Sequence, residues 1–400
     1  MTTSTSKTET TMHQTVPRTR KVHRFKGNFK LTDTIGQIKL YSETYYNGKK
    51  GVVIEGNAKI MNCFPRVKET TTENIHETWD DEKLKHARFF KHEEGTLIRV
   101  FYSTRGWMVS TQKKLDAFTS KWGSNKSFGE EWVDALGCEH NTTTSLREKL
   151  NHTDNLLPNF FKTLNKSHQY LFLLRNNAQN RIVCLSPSYP TVYHVGTFKS
   201  NVLDVDDSIG INKPDELSVN TMDDLTREIQ TVDARYSGGF MIRVSEKNPD
   251  PKSIIMENVS WQKMLTPRYQ DLQKVRANEP SLKFRYLQVR LDSEMVDKLF
   301  ALYPEAIPLF NEYEDSLFDI AKYIHQSYIN RFIRREFVTL EREFFSIMRI
   351  CHEWHKEDRS SNKISLDKVI EVINTRYDHV LNKMIKVYKL KDEPKQFKRT

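Results

Sequence analysis

The chain has 400 residues, of which 37% are apolar and 28% charged, with a formal net charge of +10. That length accommodates two domains with separate cores. No apolar run approaches the roughly 20 residues of a membrane helix, and the N-terminus lacks an apolar signal core, so neither membrane insertion nor secretion is expected. Cys63, Cys138, Cys184 and Cys351 form no Cys-x-x-Cys pair. Free thiols in a reducing, cytoplasmic setting are therefore expected, with no metal site. The charge lies at the ends: residues 1–30 hold seven Lys/Arg against Glu9, and residues 386–400 hold six against Asp392 and Glu393. Basic tails attract polyanions, but the body between them is neutral.

Residues 1–25 are rich in Thr and Ser and read as a disordered basic tail. Alternating runs at Gln37–Tyr41 and Gly51–Glu55 predict strands, with Asn47-Gly48 between them as a hairpin signal. Residues 67–91 are polar and predict a loop with a short helix. Strands are expected at Thr96–Tyr102 and Trp107–Thr111, then helices at Phe128–Leu136, Leu146–Leu150 and Asn159–Leu164. Further strands are expected at Gln169–Leu174, Arg181–Leu185 and Thr191–Gly196. A helix at Met222–Gln230 follows, with Asp223 and Asp224 in its first turn, and then strands at Gly239–Val244 and Ser253–Asn258. From Tyr269 onward apolar residues recur at helical spacing, as in Leu317, Ile320, Ala321 and Ile324 and again from Phe332 to Phe345, and a last helix is expected from Leu366 to Val387 with Ser365 as its cap. The reading is an α+β chain. It has a β-rich domain over 26–270, a helical domain over 271–390 and a basic tail over 391–400.

The most informative segment is His92-Glu93-Glu94-Gly95-Thr96-Leu97, an acidic-glycine turn feeding a strand. Four other segments arrive in a fixed order around it. Ala58–Pro65 precedes it. Tyr170-Leu171-Phe172-Leu173 with Asn180-Arg181-Ile182-Val183 follows, then Gly238-Gly239-Phe240-Met241, then Lys263-Met264-Leu265-Thr266-Pro267-Arg268-Tyr269. Order and spacing over residues 30–270 resemble those of the phage-type RNA ligases of the covalent nucleotidyltransferase superfamily, a divergent member such as those of large DNA viruses.

The resemblance implies a nucleotidyltransferase (ATP-grasp-like ligase) fold and a nucleotide or RNA as partner, with ATP and Mg2+ as cofactors if the chain is active. In that family a lysine in a Lys-x-Asp-Gly-Ser/Thr turn attacks the nucleotide α-phosphate, which requires a neutral amine. Here His92 occupies the lysine's slot, Lys91 stands one place early, and Glu94 keeps the acidic slot. Leu173 and Gly238 replace the two glutamates that orient the sugar and metal, and Leu265 replaces the second closing lysine, leaving Lys263. Two rescues stay open: a one-residue bulge bringing in Lys91, or His92 as the nucleophile. Lys91, His92 and Glu94 are thus the candidate catalytic residues of an enzyme whose adenylation chemistry is expected to be degenerate.

Candidate nucleotide- or RNA-binding residues lie in two further clusters. Ser110–Trp122 combines Lys113, Lys114 and Lys121 with Trp122; it reads equally as a phosphate-and-base surface and as a polar stretch packing Leu115, Phe118 and Trp122 inward. Lys283–Arg290 alternates and predicts an extended segment, read either as a plain interdomain strand or as one presenting Lys283 and Arg285 to the cleft. Arg181 and Lys263 complete the set. Arg331, Arg334, Arg335 and Arg342 interleave with Glu336, Glu341 and Glu343, which reads first as a paired surface.

Overall fold

A computed structural model describes residues 29–43, 50–150, 155–175, 181–245 and 259–392. The basic tail over 1–25, the Asn47-Gly48 turn, Asn180, the expected strand Ser253–Asn258 and residues 393–400 lie outside the described residues.

The chain opens with four antiparallel strands in sequence order: β1 (Phe29–Ile35), β2 (Ile38–Glu43), β3 (Lys50–Glu55) and β4 (Ala58–Met61). Residues 67–91, expected to hold a loop and a short helix, hold two short helices, α1 (Thr72–Thr78) and α2 (Asp81–Lys85), and also two unexpected strands, β5 (Val67–Thr70) and β6 (Ala87–Lys91). Their helices are short and capped by Thr71 and Asp80, whose side chains accept from Asn74 N and Lys83 N. Caps carry what the weak apolar pattern does not.

β7 (Thr96–Ser103) and β8 (Gly106–Thr111) form the expected hairpin. Three helices follow: α3 (Phe128–Gly137), opened by a Ser127–Glu130 capping box, α4 (Thr144–Leu150) and α5 (Leu156–Thr163). They set Trp132, Leu136, Leu146 and Phe160 against Phe172 and Val100, one face of the second sheet. That sheet runs β11-β10-β9-β7-β8, with β9 (His168–Arg175), β10 (Thr191–Lys199) and β11 (Val202–Asp204). The third sheet runs β12-β6-β13-β14-β5, with β12 (Glu216–Leu217), β13 (Gly239–Ser245) and β14 (Val259–Leu265). Its far face packs on α1 and α6 (Met222–Thr231) through Ile75, Leu225, Phe240 and Ile242.

The expected strand Arg181–Leu185 does not form. Its Ile182 and Val183 N–H groups go to the Glu94 carboxylate, not to a ladder. From Pro267 the chain is helical: α7 (Pro267–Arg276), α8 (Leu282–Val289), α9 (Ser293–Leu302), α10 (Ile307–Tyr328), α11 (Arg342–Glu357), α12 (Leu366–Asn374) and α13 (Asp378–Asp392). These helices share one core, which also takes in Val183, Cys184 and Leu265 from the β-rich part.

Three expectations are corrected here. Lys283–Arg290 is not extended: it is α8, capped by Ser281 and burying Leu282, Tyr286, Leu287 and Val289 at helical spacing. The single helix over Leu366–Val387 is two, interrupted at Thr375–Tyr377, although Ser365 is the cap, accepting from Lys368 N. The helical run from Phe332 to Phe345 is also broken. A π-turn at Ile329–Ile333 ends α10, and residues 334–341 are not helical before α11 begins.

Candidate functional site

The acidic-glycine turn joins β6 of the third sheet to β7 of the second, so it bridges two sheets. Its backbone is pinned on both sides: His92 N donates to Gly239 O (2.8 Å), Gly238 N donates to His92 O (3.3 Å), and Ser237 Oγ donates to His92 O (2.9 Å). Gly95 passes so close to β9 that a Cβ there would lie 2.5 Å from Leu174 O. That approach is a structural reason for the glycine.

The two glutamates of the turn have different neighbours. Glu94 Oε1 accepts from Val183 N (2.7 Å) and from the Tyr269 hydroxyl (2.7 Å), while Oε2 accepts from Ile182 N (3.1 Å). It fastens three segments that are far apart in sequence. Burial and the adjacent Glu94 carboxylate push the Tyr269 phenol above its usual range. Glu93 is buried, with Lys91 Nζ 3.2 Å from Oε1 and Arg175 Nη1 bonded to Oε2. Sequence reasoning assigned Glu93 and Arg175 no role; the only available signal was an arginine closing a strand that pairs with β7.

His92 is packed edge-on to Tyr269 (5.6 Å between ring centroids). Burial, with Lys263 and Arg175 nearby, pushes its imidazole down to about 4, so the ring is neutral at pH 7. A Cβ at Gly238 would lie 2.6 Å from His92 Nδ1 and 3.1 Å from Tyr269. The missing side chain at Gly238 therefore makes room for the His92 ring. Gly238→Ala is expected to cost about 1–3 kcal/mol through this overlap. In a His92→Ala background most of that cost should vanish, a non-additivity readable by urea unfolding of the four proteins.

On one side of the turn lies a cleft of about 590 Å3 between the second and third sheets. Its floor is aromatic: Trp261 lies 5.1 Å from Phe64 and 6.2 Å from Phe90, the latter near-parallel. Leu97, Leu173 and Val195 form the facing wall, so Leu173, in the place of the middle glutamate, presents a methyl surface. The size and apolar lining suit a drug-sized planar ligand. Arg88, Lys213, Asp206 and Glu216 stand at the rim. Arg88 pairs with Asp206 (2.9 Å) and Glu216 (2.7 Å), which raises its pKa and lowers theirs. Lys263 belongs to the cross-strand row Phe90–Met241–Lys263, the row whose first two members line the cleft, and its Nζ pairs with Glu69 (2.7 Å). Trp261, two residues before Lys263 and hence on the same face of β14, was missed in the sequence because no strand was expected over 259–265; its spacing from Lys263 was the available signal.

On the other side lies a second cavity of about 400 Å3. Glu94, Lys113, Lys121, Trp122, Arg175 and Arg181 are among its lining, and Gly95, Leu97 and Gln112 line both spaces. The candidate residues are therefore distributed around the turn and not gathered in one pocket. Lys91 and His92 line the cleft, Glu94 and Lys113 the second cavity. Lys114 is exposed and lines neither. Arg181 lies over the Tyr303 ring (4.4 Å) and pairs with Glu305 (3.0 Å), joining the β-rich part to α9 and its C-terminal turn. Arg285, expected to face the cleft, instead donates to Val275 O (2.7 Å) and Lys274 O (3.0 Å) at the end of α7. Trp122 is neither free nor simply core: the buried Arg276 guanidinium sits 5.2 Å from its ring.

Mg2+ on protein ligands is a poor fit. Among the described residues no group of three His, Cys, Asp or Glu is gathered for a metal. Glu93, Asp206 and Glu216 are each engaged by cations. Nor is any helix among the described residues long and apolar enough to cross a membrane.

No family model matches the chain. It is 25% identical over 328 residues to the "Immediate-early protein ICP-46 homolog" of Invertebrate iridescent virus 6, covering 78% of this chain and 68% of that protein. To the protein of the same name in Invertebrate iridescent virus 3 it is 28% identical over 243 residues, covering 60% of this chain and 48% of that protein. Among solved structures it is similar to an archaeal ATP-dependent RNA ligase in two forms. The TM-scores are 0.37 and 0.33, at 14% and 13% identity, covering 69% and 89% of this chain and 68% of each ligase. At such TM-scores the likeness alone decides nothing, and the weight falls on the geometry of the turn.

Proposed function

We propose that the chain binds a nucleotide, free or at an RNA end, in the cleft between the second and third sheets, and that covalent nucleotidyl transfer has been lost. The observation that carries this is the meeting of the ligase-like segments at one turn. His92 touches Gly238 and Tyr269, and Glu94 bonds to Ile182, Val183 and Tyr269. Four segments recognised separately in sequence are in mutual contact, as the ligase reading requires. A base would lie on Trp261 and Phe90, against the wall of Leu97 and Leu173. Its phosphates would run toward Lys91 and, past Gly95, toward Lys113 and Lys121.

The same geometry argues against transfer. Lys91 Nζ is held in an ion pair with buried Glu93, and an ammonium so held has no lone pair to offer phosphorus. His92 is neutral but packed beneath Gly238 and Tyr269. Leu173 and Gly238 supply no oxygen for a sugar or metal. Any Mg2+ would arrive on the nucleotide's own phosphates, keeping most of its waters. The viral relatives support a role inside an infected cell, and the division into a β-rich domain ending near 270 and a helical one remains our reading.

The test uses α-32P-labelled ATP and GTP with Mg2+ and the full chain. After denaturing electrophoresis no acid-labile adduct is expected, while equilibrium dialysis of the same mixture should show saturable binding. An adduct removed by Lys91→Ala or His92→Ala would make the chain an active nucleotidyltransferase. Absence of binding would favour the second reading, an interaction protein that keeps the ligase-like fold, for which the filled nucleophile slot is the supporting observation.

A further inference from the structure

A separate cavity in the helical part is not used by that reading. It has a volume of about 570 Å3 and lies between the first turns of α11 and α13 and the bend after α12. Arg342, Arg376 and Lys383 line it, together with His379 and Tyr377. Two acidic groups lie among them. Glu343 pairs with Lys383, and Asp378 accepts from His379 N (2.7 Å) and stands 3.6 Å from its ring. Among the described residues neither Arg342 nor Arg376 enters an ion pair. Arg376 donates only to the Thr375 hydroxyl, from Nε (3.2 Å) and Nη2 (2.6 Å). Neither guanidinium is tied up in an ion pair, although Glu343 in the same lining feels the charge of Arg342, and two such groups in one concave site can bind the oxygens of an anion.

The aromatic groups narrow the class of anion. Tyr377 is 76% exposed, and its ring lies nearly parallel to that of His379, with centroids 5.7 Å apart and planes 12° from each other. One turn along α11 from Arg342, Phe345 is also exposed, with the Arg331 guanidinium 5.4 Å from its ring. A ligand made of carboxylates alone would leave these exposed rings unused. A single strand of nucleic acid uses both, phosphates on the guanidinium groups and bases on the rings.

We propose that this cavity and the adjoining Arg331–Phe345 surface bind single-stranded nucleic acid, with Arg342 and Arg376 taking phosphates and Tyr377 stacking on a base. The site is distinct from the cleft between the sheets. It changes the reading of the arginine stretch, which the interleaved glutamates presented as a paired surface.

The test is fluorescence anisotropy of a fluorescein-labelled 12-mer of uridine with the full chain, from 50 to 200 mM NaCl. The Arg342→Ala/Arg376→Ala double variant should bind at least tenfold more weakly. The slope of log affinity against log salt should flatten by about 1.4, the loss of two phosphate contacts on a single strand. Tyr377→Ala should weaken binding at least fivefold with the salt slope unchanged, because stacking releases no counterions. These side chains lie at the surface, so melting curves should match the wild type, and dialysis of ATP into the sheet cleft should be unaffected. Variants that bind the 12-mer within twofold of wild type would assign its binding to the basic tails and overturn the proposal. So would an unaltered Tyr377→Ala combined with displacement of the 12-mer by deca-glutamate at equal concentration, which would make this a docking site for an acidic protein segment.

Discussion

Replacing Glu94 with alanine is expected to destabilise the chain by about 3–5 kcal/mol, more than any other single change at the turn. The carboxylate accepts from two backbone N–H groups and one phenol. Each donor left without a partner away from water costs about 1–3 kcal/mol. The loss would be felt across the molecule, because Ile182–Val183 and Tyr269 both enter the core of the helical part directly or pack on it. Glu94→Gln keeps one acceptor oxygen and should lose less, and Tyr269→Phe removes a single donor and should lose about 1 kcal/mol. Urea unfolding monitored by tryptophan fluorescence reads all three, with the midpoint shifting at constant slope. A Glu94→Ala cost under 1 kcal/mol would mean that the three segments are held by packing alone.

Acid is expected to weaken the fold well above the carboxylate range. His92 and His194 are both pushed down to about 4, in each case chiefly by burial. His194 sits opposite Phe172, on a sheet face covered by α3, and also borders the cleft, with Nε2 3.0 Å from Thr197 Oγ1. Asp207, reached through Thr197, opposes the shift, and Lys213 adds to it. A histidine that titrates near 6.5 when unfolded and near 4 when folded leaves the unfolded chain holding more protons between those values. Stability is therefore complete above about pH 6.5 and is lost as pH falls toward 4, by up to about 3 kcal/mol for each ring. Unfolding free energies at pH 7 and pH 4.5 should show this loss, and His194→Gln and His92→Gln should each reduce it. A profile flat from pH 7 to 4.5 would contradict the burial of both rings.

Much of the β-rich part was legible because its strands alternate and are bounded by turn residues. The hairpin Thr96–Thr111 and the helix at Phe128 came directly from apolar period. What failed was local pattern overruled by distant partners. Arg181–Leu185 has a strand's composition, but its N–H groups are taken by Glu94, 88 and 89 residues away in sequence. Lys283–Arg290 alternates for five residues, yet Ser281 and the apolar set Leu282, Tyr286, Leu287 and Val289 make a helix. At the site, the turn was found because its glycine and acid are fixed by close backbone approach. The pairing of Lys91, Glu93 and Arg175 was not found, because nothing local marks an ion pair across two sheets. The contact between His92 and Gly238 was not visible in the sequence, where the two positions appeared as separate departures from the resembled pattern.

We propose that the aromatic cleft takes a nucleotide base against Trp261. Isothermal titration of ATP, and separately of GTP, into the wild-type chain and into Trp261→Ala tests it most directly. The expected result is one site per chain for at least one of the two nucleotides, weakened at least tenfold in Trp261→Ala, with unfolding still cooperative. Heat of binding unchanged in Trp261→Ala, or no binding of either nucleotide to the wild type, would contradict it.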